Sequence, residues 1–353
     1  MALLWKQSSG YASACFDALG SAGVDVLVTH RASTTDAPYD DELLGVAGLN
    51  YRWLERPDER ALRERLETFR PDAMLVVSWD VGAYRRIARS WRGRTLRILC
   101  MDNAWLGTTK QWAGRLASPL LIRPTYDAAY LPGDRQAEFA RYLGFGDERI
   151  LWGFYTCDEA FARVRRSGPL PKAFLFVGRL VADKGVDVLA TAYQRYRDTA
   201  DQPWPLLVCG DGPVADQLAG RPGVEMFGFV QPDDLPEVYQ KSGCLILPSR
   251  FEPWGVAIHE AASAGLAVVA STACGATTRL VLDGYNGLVV PPGRPGALAT
   301  ALSRIADLSP SALTAMGVAG SQLAQQFTPA RWASYLVDRV TSLREELGLA
   351  DSR

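Results

Sequence analysis

CLILPSRFEPWGVAIHEAASAGLAVVAS, residues 244–271, reads as a strand, a turn, a helix and a second strand. CLIL is a continuous apolar run and AVVAS is another, as expected of strands covered on both faces. Pro253 and Gly255 mark the turn, and the small residues of AASAG give the helix a face that packs closely. Two such strands joined by a helix pair in parallel, because a hairpin cannot join them. The same alternation extends outward in both directions. FLFVGRL, LLVCGDGP and VEMFGFV precede this unit and GLVVPPG follows it. In the first half, ALLW, VDVLVT, AMLVVS, RILCM and AAYL read as strands, with helical stretches such as 58–69 and 82–91 between them. The pattern predicts an α/β protein of two Rossmann-like parallel-sheet domains, with ligand at the strand C-terminal edges facing a central cleft. The domains are expected at 1–160 and 161–330. RVRRSGPLPK (163–172) is the candidate linker, and a strandless helical tail at 331–353 follows.

Bulk properties exclude several classes. The 353 residues carry 38 basic and 39 acidic side chains, a balance unlike the basic excess of a nucleic-acid binder. Six cysteines are scattered without a Cys-x-x-Cys pair, several inside apolar runs, which predicts buried thiols in a reducing compartment. Two histidines, His30 and His259, argue against a histidine-rich metal site. MALLWKQSSGY lacks the apolar core of a signal peptide, and no stretch reaches the roughly 18 apolar residues of a membrane span. A cytoplasmic location is expected, with peripheral contact at the inner membrane face left open.

Within 244–271 the chemistry gathers at the turn. Glu252 follows the strand and Glu260 lies eight residues on, inside the helix. The helix start near Gly255 and Val256 offers free backbone N–H groups to a phosphate. Upstream, in FLFVGRLVADKG, Gly178 ends a strand, Arg179 follows it, and Lys184 with Gly185 leads into the next helix. Arg179 and Lys184 suit a single diphosphate. Cations fixed there would stabilise charge growing on a departing nucleoside diphosphate without a metal ion. No Asp-x-Asp occurs in the chain, which fits such metal-free chemistry.

The order GR…KG, GDGP, FGFV and EPWG with a Glu at the eighth position, over residues 174–293, resembles the donor domain of the retaining GT-B glycosyltransferases of family four, glycosyl transferases group 1. The resemblance implies transfer of a hexose-type sugar from a nucleoside-diphosphate sugar to an acceptor hydroxyl, with retention and no further cofactor. It implies that Arg179 and Lys184 clamp the diphosphate and that Glu252 contacts sugar hydroxyls. Gly255 and Val256 would hold phosphate or sugar oxygens, Glu260 the ribose, and Phe229 and Val230 the base. Gly178, Gly210 and Trp254 complete the implied donor site, and SSGY resembles a shortened glycine loop over the donor, with Gly10 its contact. The tail helix is expected to cross back onto the N-terminal domain. Acceptors of this class are glycans, lipid-linked molecules or small molecules. The chain departs from the family at ILCMDNAW, where Asp102 and Asn103 stand in place of a frequent histidine. Two readings of Asp102 stand: it orients the acceptor hydroxyl and takes its proton, or it caps a turn.

Other features compete. Gly210, Gly212 and Ala215 in LLVCGDGPVADQL match the Gly-x-Gly-x-x-Ala dinucleotide fingerprint, so an NAD(P)- or flavin-dependent Rossmann oxidoreductase is an alternative. A catalytically silent sugar-nucleotide binder is another. AYRRIARSWRGRTLR carries Arg85, Arg86, Arg89, Arg92, Arg94 and Arg97, readable as a solvated face balanced by acids elsewhere or as a contact with anionic lipid or a phosphorylated acceptor. Trp105, Lys110, Gln111 and Trp112 read either as an acceptor platform or as packing.

Overall fold

The computed structural model describes residues 1–7, 9–31, 49–53, 58–77, 79–165 and 167–349. Ser8 of the SSGY loop and Arg166 of the 163–172 segment lie outside the described residues. The chain forms two compact units, Met1–Thr156 with Pro329–Arg353, and Cys157–Thr328.

In the first unit, β1 (Ala2–Gln7), β2 (Leu27–Arg31), β3 (Leu49–Trp53), β4 (Ala73–Val77), β5 (Leu96–Cys100), β6 (Ala128–Leu131) and β7 (Ile150–Trp152) form a parallel sheet in the order β3-β2-β1-β4-β5-β6-β7. Its helices are α1 (Gly10–Ser21), α2 (Glu59–Phe69), α3 (Gly82–Ser90), α4 (Thr109–Leu121) and α5 (Asp134–Tyr142). All five residues of β5 are buried, because a parallel strand under helices on both faces meets no solvent. The final helix of the chain, Pro329–Glu346, closes one face. Its Trp332, Ala333, Leu336 and Leu343 share a core with Leu3, Phe16 and Leu19, and the Trp332 indole donates to the Phe154 carbonyl at 3.1 Å. Edge strands β3 and β7 were not among the apolar runs. β7 has three residues, and LNYRW alternates apolar with polar as an edge strand does.

The second unit orders β8 (Phe174–Val177), β9 (Leu206–Cys209), β10 (Val224–Gly228), β11 (Cys244–Leu247), β12 (Ala267–Ser271) and β13 (Gly287–Val290) as β10-β9-β8-β11-β12-β13, again parallel. Its helices are α6 (Glu159–Ala162), α7 (Val186–Thr199), α8 (Leu235–Gln240), α9 (Val256–Ser263), α10 (Thr277–Leu280), α11 (Pro295–Ala306) and α12 (Pro310–Ala324); the final helix is α13. Strand order reverses between β8 and β11, which pair through Phe174 with Cys244 and Leu175 with Leu245. Chains leaving two such neighbours turn away in opposite directions, so a crevice opens at their carboxyl ends.

Candidate donor site at the switch point of the second sheet

The loops after β8 and β11 carry the residues singled out by the sequence, and they are tied to each other. Both Arg250 N–H and Phe251 N–H donate to the Asp183 carbonyl, at 2.7 and 3.2 Å. The Arg250 guanidinium grips the Asp187 carboxylate through two nitrogens, one at 2.6 Å. Gly185 makes the approach possible. Its φ is 68°, and a Cβ there would stand 2.4 Å from the Pro248 carbonyl oxygen. This clamp brings Lys184 Nζ onto Glu252 Oε2 in a largely buried ion pair, with side-chain exposures of 18% and 10%. A cation and a carboxylate 68 residues apart thus meet at the mouth of the crevice.

Glu252 is followed by a turn stitched to the loop after β12: Gly275 N–H donates to the Glu252 carbonyl and Ala276 N–H to that of Trp254. α9 then begins at Val256, with Gly255 as its N-cap. Glu260, in the second turn of α9, accepts from the Tyr239 hydroxyl of α8 at 2.6 Å. Burial pushes the Glu260 carboxyl up to about 7, against the Tyr239 hydrogen bond that lowers it and with Asp158 adding to the rise. Next to it, burial holds the His259 imidazole down at about 4 with its ring against Phe327, so it is a neutral packing group at pH 7.

Of the other residues expected at the donor, Gly178 lies beside Lys184. Arg179, at the end of β8, is exposed, and its guanidinium has no ion-pair partner among the described residues. The would-be Cβ of Gly178 lies 3.9 Å from Lys184 Cε, so the lysine stem passes over this glycine. Gly210 serves packing: at φ 144° a Cβ would meet the Gly178 carbonyl oxygen at 2.0 Å. Phe229 and Val230 are partly exposed beyond β10. Trp254 is 3% exposed, so its side chain packs into the core. The dinucleotide fingerprint is not completed. The helix expected after Gly210 and Gly212 is a three-residue 3-10 turn, Ala215–Gln217, too short to present a pyrophosphate seat.

Gly10 and Asp102 belong to the first unit. Gly10 opens α1, where the N-cap Ser9 hydroxyl is buried with no hydrogen-bond partner among the described residues. Asp102 follows β5, and its Oδ2 accepts from the Tyr155 hydroxyl at 3.0 Å, while the Tyr155 ring meets Tyr11 edge-on at 5.3 Å. Burial raises the Asp102 pKa and the Tyr155 hydrogen bond opposes it. Asn103 is exposed. Tyr155, Tyr239, Asp158 and Ser9 were missed in the sequence. Only Ser9, beside Gly10 in the loop already singled out, lay within reach of a motif.

The arginines of 85–97 divide. Arg86 pairs with Glu59 at 2.6 Å and Arg94 with Glu67 at 2.7 Å. Arg97 is 2% exposed and holds Asp127, so it reaches neither lipid nor acceptor. In the aromatic cluster, Gln111 completes a capping box with Thr108, and Trp105 packs among Trp112, Phe139 and Tyr142 at 4.7–5.4 Å.

Two parallel doubly wound units, one with a lysine–glutamate pair at its switch point, define a GT-B protein. Residues 171–307 match the family profile of the glycosyl transferases group 1. It is 35% identical over 195 residues to a D-inositol 3-phosphate glycosyltransferase of Corynebacterium aurimucosum, covering 51% of this chain and 46% of the relative. It is 33% identical over 144 residues to the alpha-D-kanosaminyltransferase of Streptomyces kanamyceticus, covering 38% and 36%. The matches therefore span less than half the length of these relatives. HepE of Anabaena, solved in complex with UDP and glucose, shares the fold with a TM-score of 0.73 at 16% identity, covering 97% of this chain and all of that one.

Proposed function

We propose that this protein moves a hexose-type sugar from a nucleoside-diphosphate sugar to an acceptor hydroxyl, with retention, and with no metal ion or further cofactor. The observation that carries the reading is the Lys184–Glu252 pair at the mouth of the switch-point crevice, one loop away from the exposed Arg179. The UDP and glucose bound to HepE, and the sugar-transferring names of the curated relatives, support a sugar-nucleotide donor.

The chemistry follows from charge. Breaking the bond from the anomeric carbon to the diphosphate leaves negative charge on the departing oxygen. Lys184 and Arg179 stabilise that charge as it forms. Until the donor arrives, Glu252 neutralises Lys184 in a nearly dry environment; sugar hydroxyls donating to Glu252 and phosphate oxygens accepting from Lys184 take over from that pair. Glu260 accepts from the ribose hydroxyls. The acceptor oxygen bonds to the anomeric carbon on the face the diphosphate leaves, and its proton passes to the departing phosphate oxygen.

A thermal-shift panel of UDP, GDP, ADP and their sugars tests the reading. One diphosphate and its sugar should raise the midpoint, and free diphosphate should be released on incubation with an acceptor. A rise with NAD(P) and none with any nucleoside diphosphate would restore the oxidoreductase. Binding without release would leave a silent binder.

A further inference from the structure

α4 is amphipathic the wrong way round. A crossover helix normally turns its large apolar residues to the sheet and polar ones to water. Here the inner face is made of small residues. A Cβ on Gly114 would stand 2.7 Å from the Trp79 ring, and Ser118, the one buried residue of the helix, donates to the Leu143 carbonyl. The large side chains point outward: Trp112 is 47% exposed, Leu116 78% and Leu120 72%, at a spacing of four residues that sets them in one stripe. Leu106 at 59% and Leu121 at 42% extend it at both ends.

The rim of this stripe is cationic. Between Gly82 and Arg123 the sequence holds nine basic residues and a single acid, Asp102. Three of the nine, Arg86, Arg94 and Arg97, are taken up by acids. Of the others, Arg89 donates to the Leu120 carbonyl at 3.1 Å, and Arg115 stands 5.0 Å over the Trp112 ring. Arg92, Lys110 and Arg123 are exposed without an ion pair among the described residues. No helix among the described residues is long and apolar enough to cross a membrane.

We propose that α4 seats this protein on an anionic lipid surface, with Trp112, Leu116 and Leu120 entering the interface and the surrounding arginines and Lys110 meeting the headgroups. Charge selects this occupant. A second copy would bring the same unpaired cations against themselves, whereas anionic headgroups neutralise them while the acyl boundary covers the leucines. The inference does not depend on which sugar the protein transfers. It also places the apolar part of the lipid contact on the helix that Arg89 of α3 touches.

The test is co-sedimentation of the full chain with vesicles of phosphatidylcholine alone or mixed with phosphatidylglycerol, at low and high salt. Binding should need phosphatidylglycerol and weaken with salt. The double variant Leu116→Asp with Leu120→Asp should bind at least about tenfold less, and Arg92→Glu with Arg123→Glu should lose most of the salt-sensitive part. Both pairs are exposed, so the thermal midpoint should hold; Leu116→Gln with Leu120→Gln gives the same reading without added charge. Three results would overturn the proposal: no binding of the wild type to the mixed vesicles, equal binding of wild type and leucine variants, or a lipid-free dimer that the leucine variants dissolve.

Discussion

Replacing Glu260 with Gln separates the cost of this carboxylate from its use. In the folded chain its pKa is raised to about 7, chiefly by burial, against about 4.3 in an unfolded chain. A raised pKa gives stability that is full below the unfolded value and lost as pH climbs through the folded one. Ionising Glu260 therefore costs about 2 kcal/mol at pH 8, once its residual solvent contact is allowed for. E260Q should raise the unfolding free energy by that order at pH 8 and leave it nearly unchanged at pH 4. Donor binding should run the other way. If ribose hydroxyls donate to the carboxylate, the competent fraction grows from about one-tenth at pH 6 to nine-tenths at pH 8, so affinity rises about tenfold. Calorimetric titration with UDP-glucose, or whichever sugar nucleotide the thermal panel selects, reads this directly. The sugar nucleotide is preferable to the free diphosphate, whose terminal phosphate itself titrates near pH 6, roughly as a phosphomonoester does. E260Q should bind more weakly at pH 8 and show no slope. A wild-type affinity that is flat with pH, or a slope that survives in E260Q, would refute the reasoning.

K184A should lower turnover by about 100-fold or more and lower the unfolding free energy by about 1–3 kcal/mol, because Glu252 loses its partner in a nearly dry place. Adding E252Q should recover the stability in urea melts and leave turnover low. G185A should cost about 2 kcal/mol or more, read from the urea midpoint, since the left-handed backbone and the Pro248 carbonyl both oppose a Cβ. Y155F removes the hydrogen bond that holds the Asp102 pKa down. The acid limb of the turnover–pH profile should move to higher pH, and an unmoved limb would exclude Asp102 from proton transfer.

Much of the second unit was legible because most of its strands are buried parallel strands, which read as unbroken apolar runs. FLFV, LLVC and CLIL became β8, β9 and β11. That Lys184 and the Glu252 segment serve one site was implied by the family resemblance; their ion pair comes from the structure, where both follow strands that flank the switch point. What could not be read came from contacts between distant elements. Tyr239 sits 21 residues before the carboxylate it bonds, on a six-residue helix with no motif. Tyr155 lies 53 residues after Asp102 and reaches it across strands of the sheet. The fingerprint at Gly210 misled for a local reason: its glycines admit the backbones of Gly178 and Leu180, not a pyrophosphate. Edge strand β3 was hidden by its alternation of apolar and polar residues, and β7 by its three-residue length.

The central claim is that Lys184, Arg179 and the two glutamates act on one departing diphosphate. Measuring nucleoside diphosphate released from the selected sugar nucleotide, by wild type, K184A and R179A side by side, tests it most directly. Release by the wild type, with a fall of about 100-fold in either variant at saturating donor, is the predicted result. Equal release by all three proteins would contradict the account.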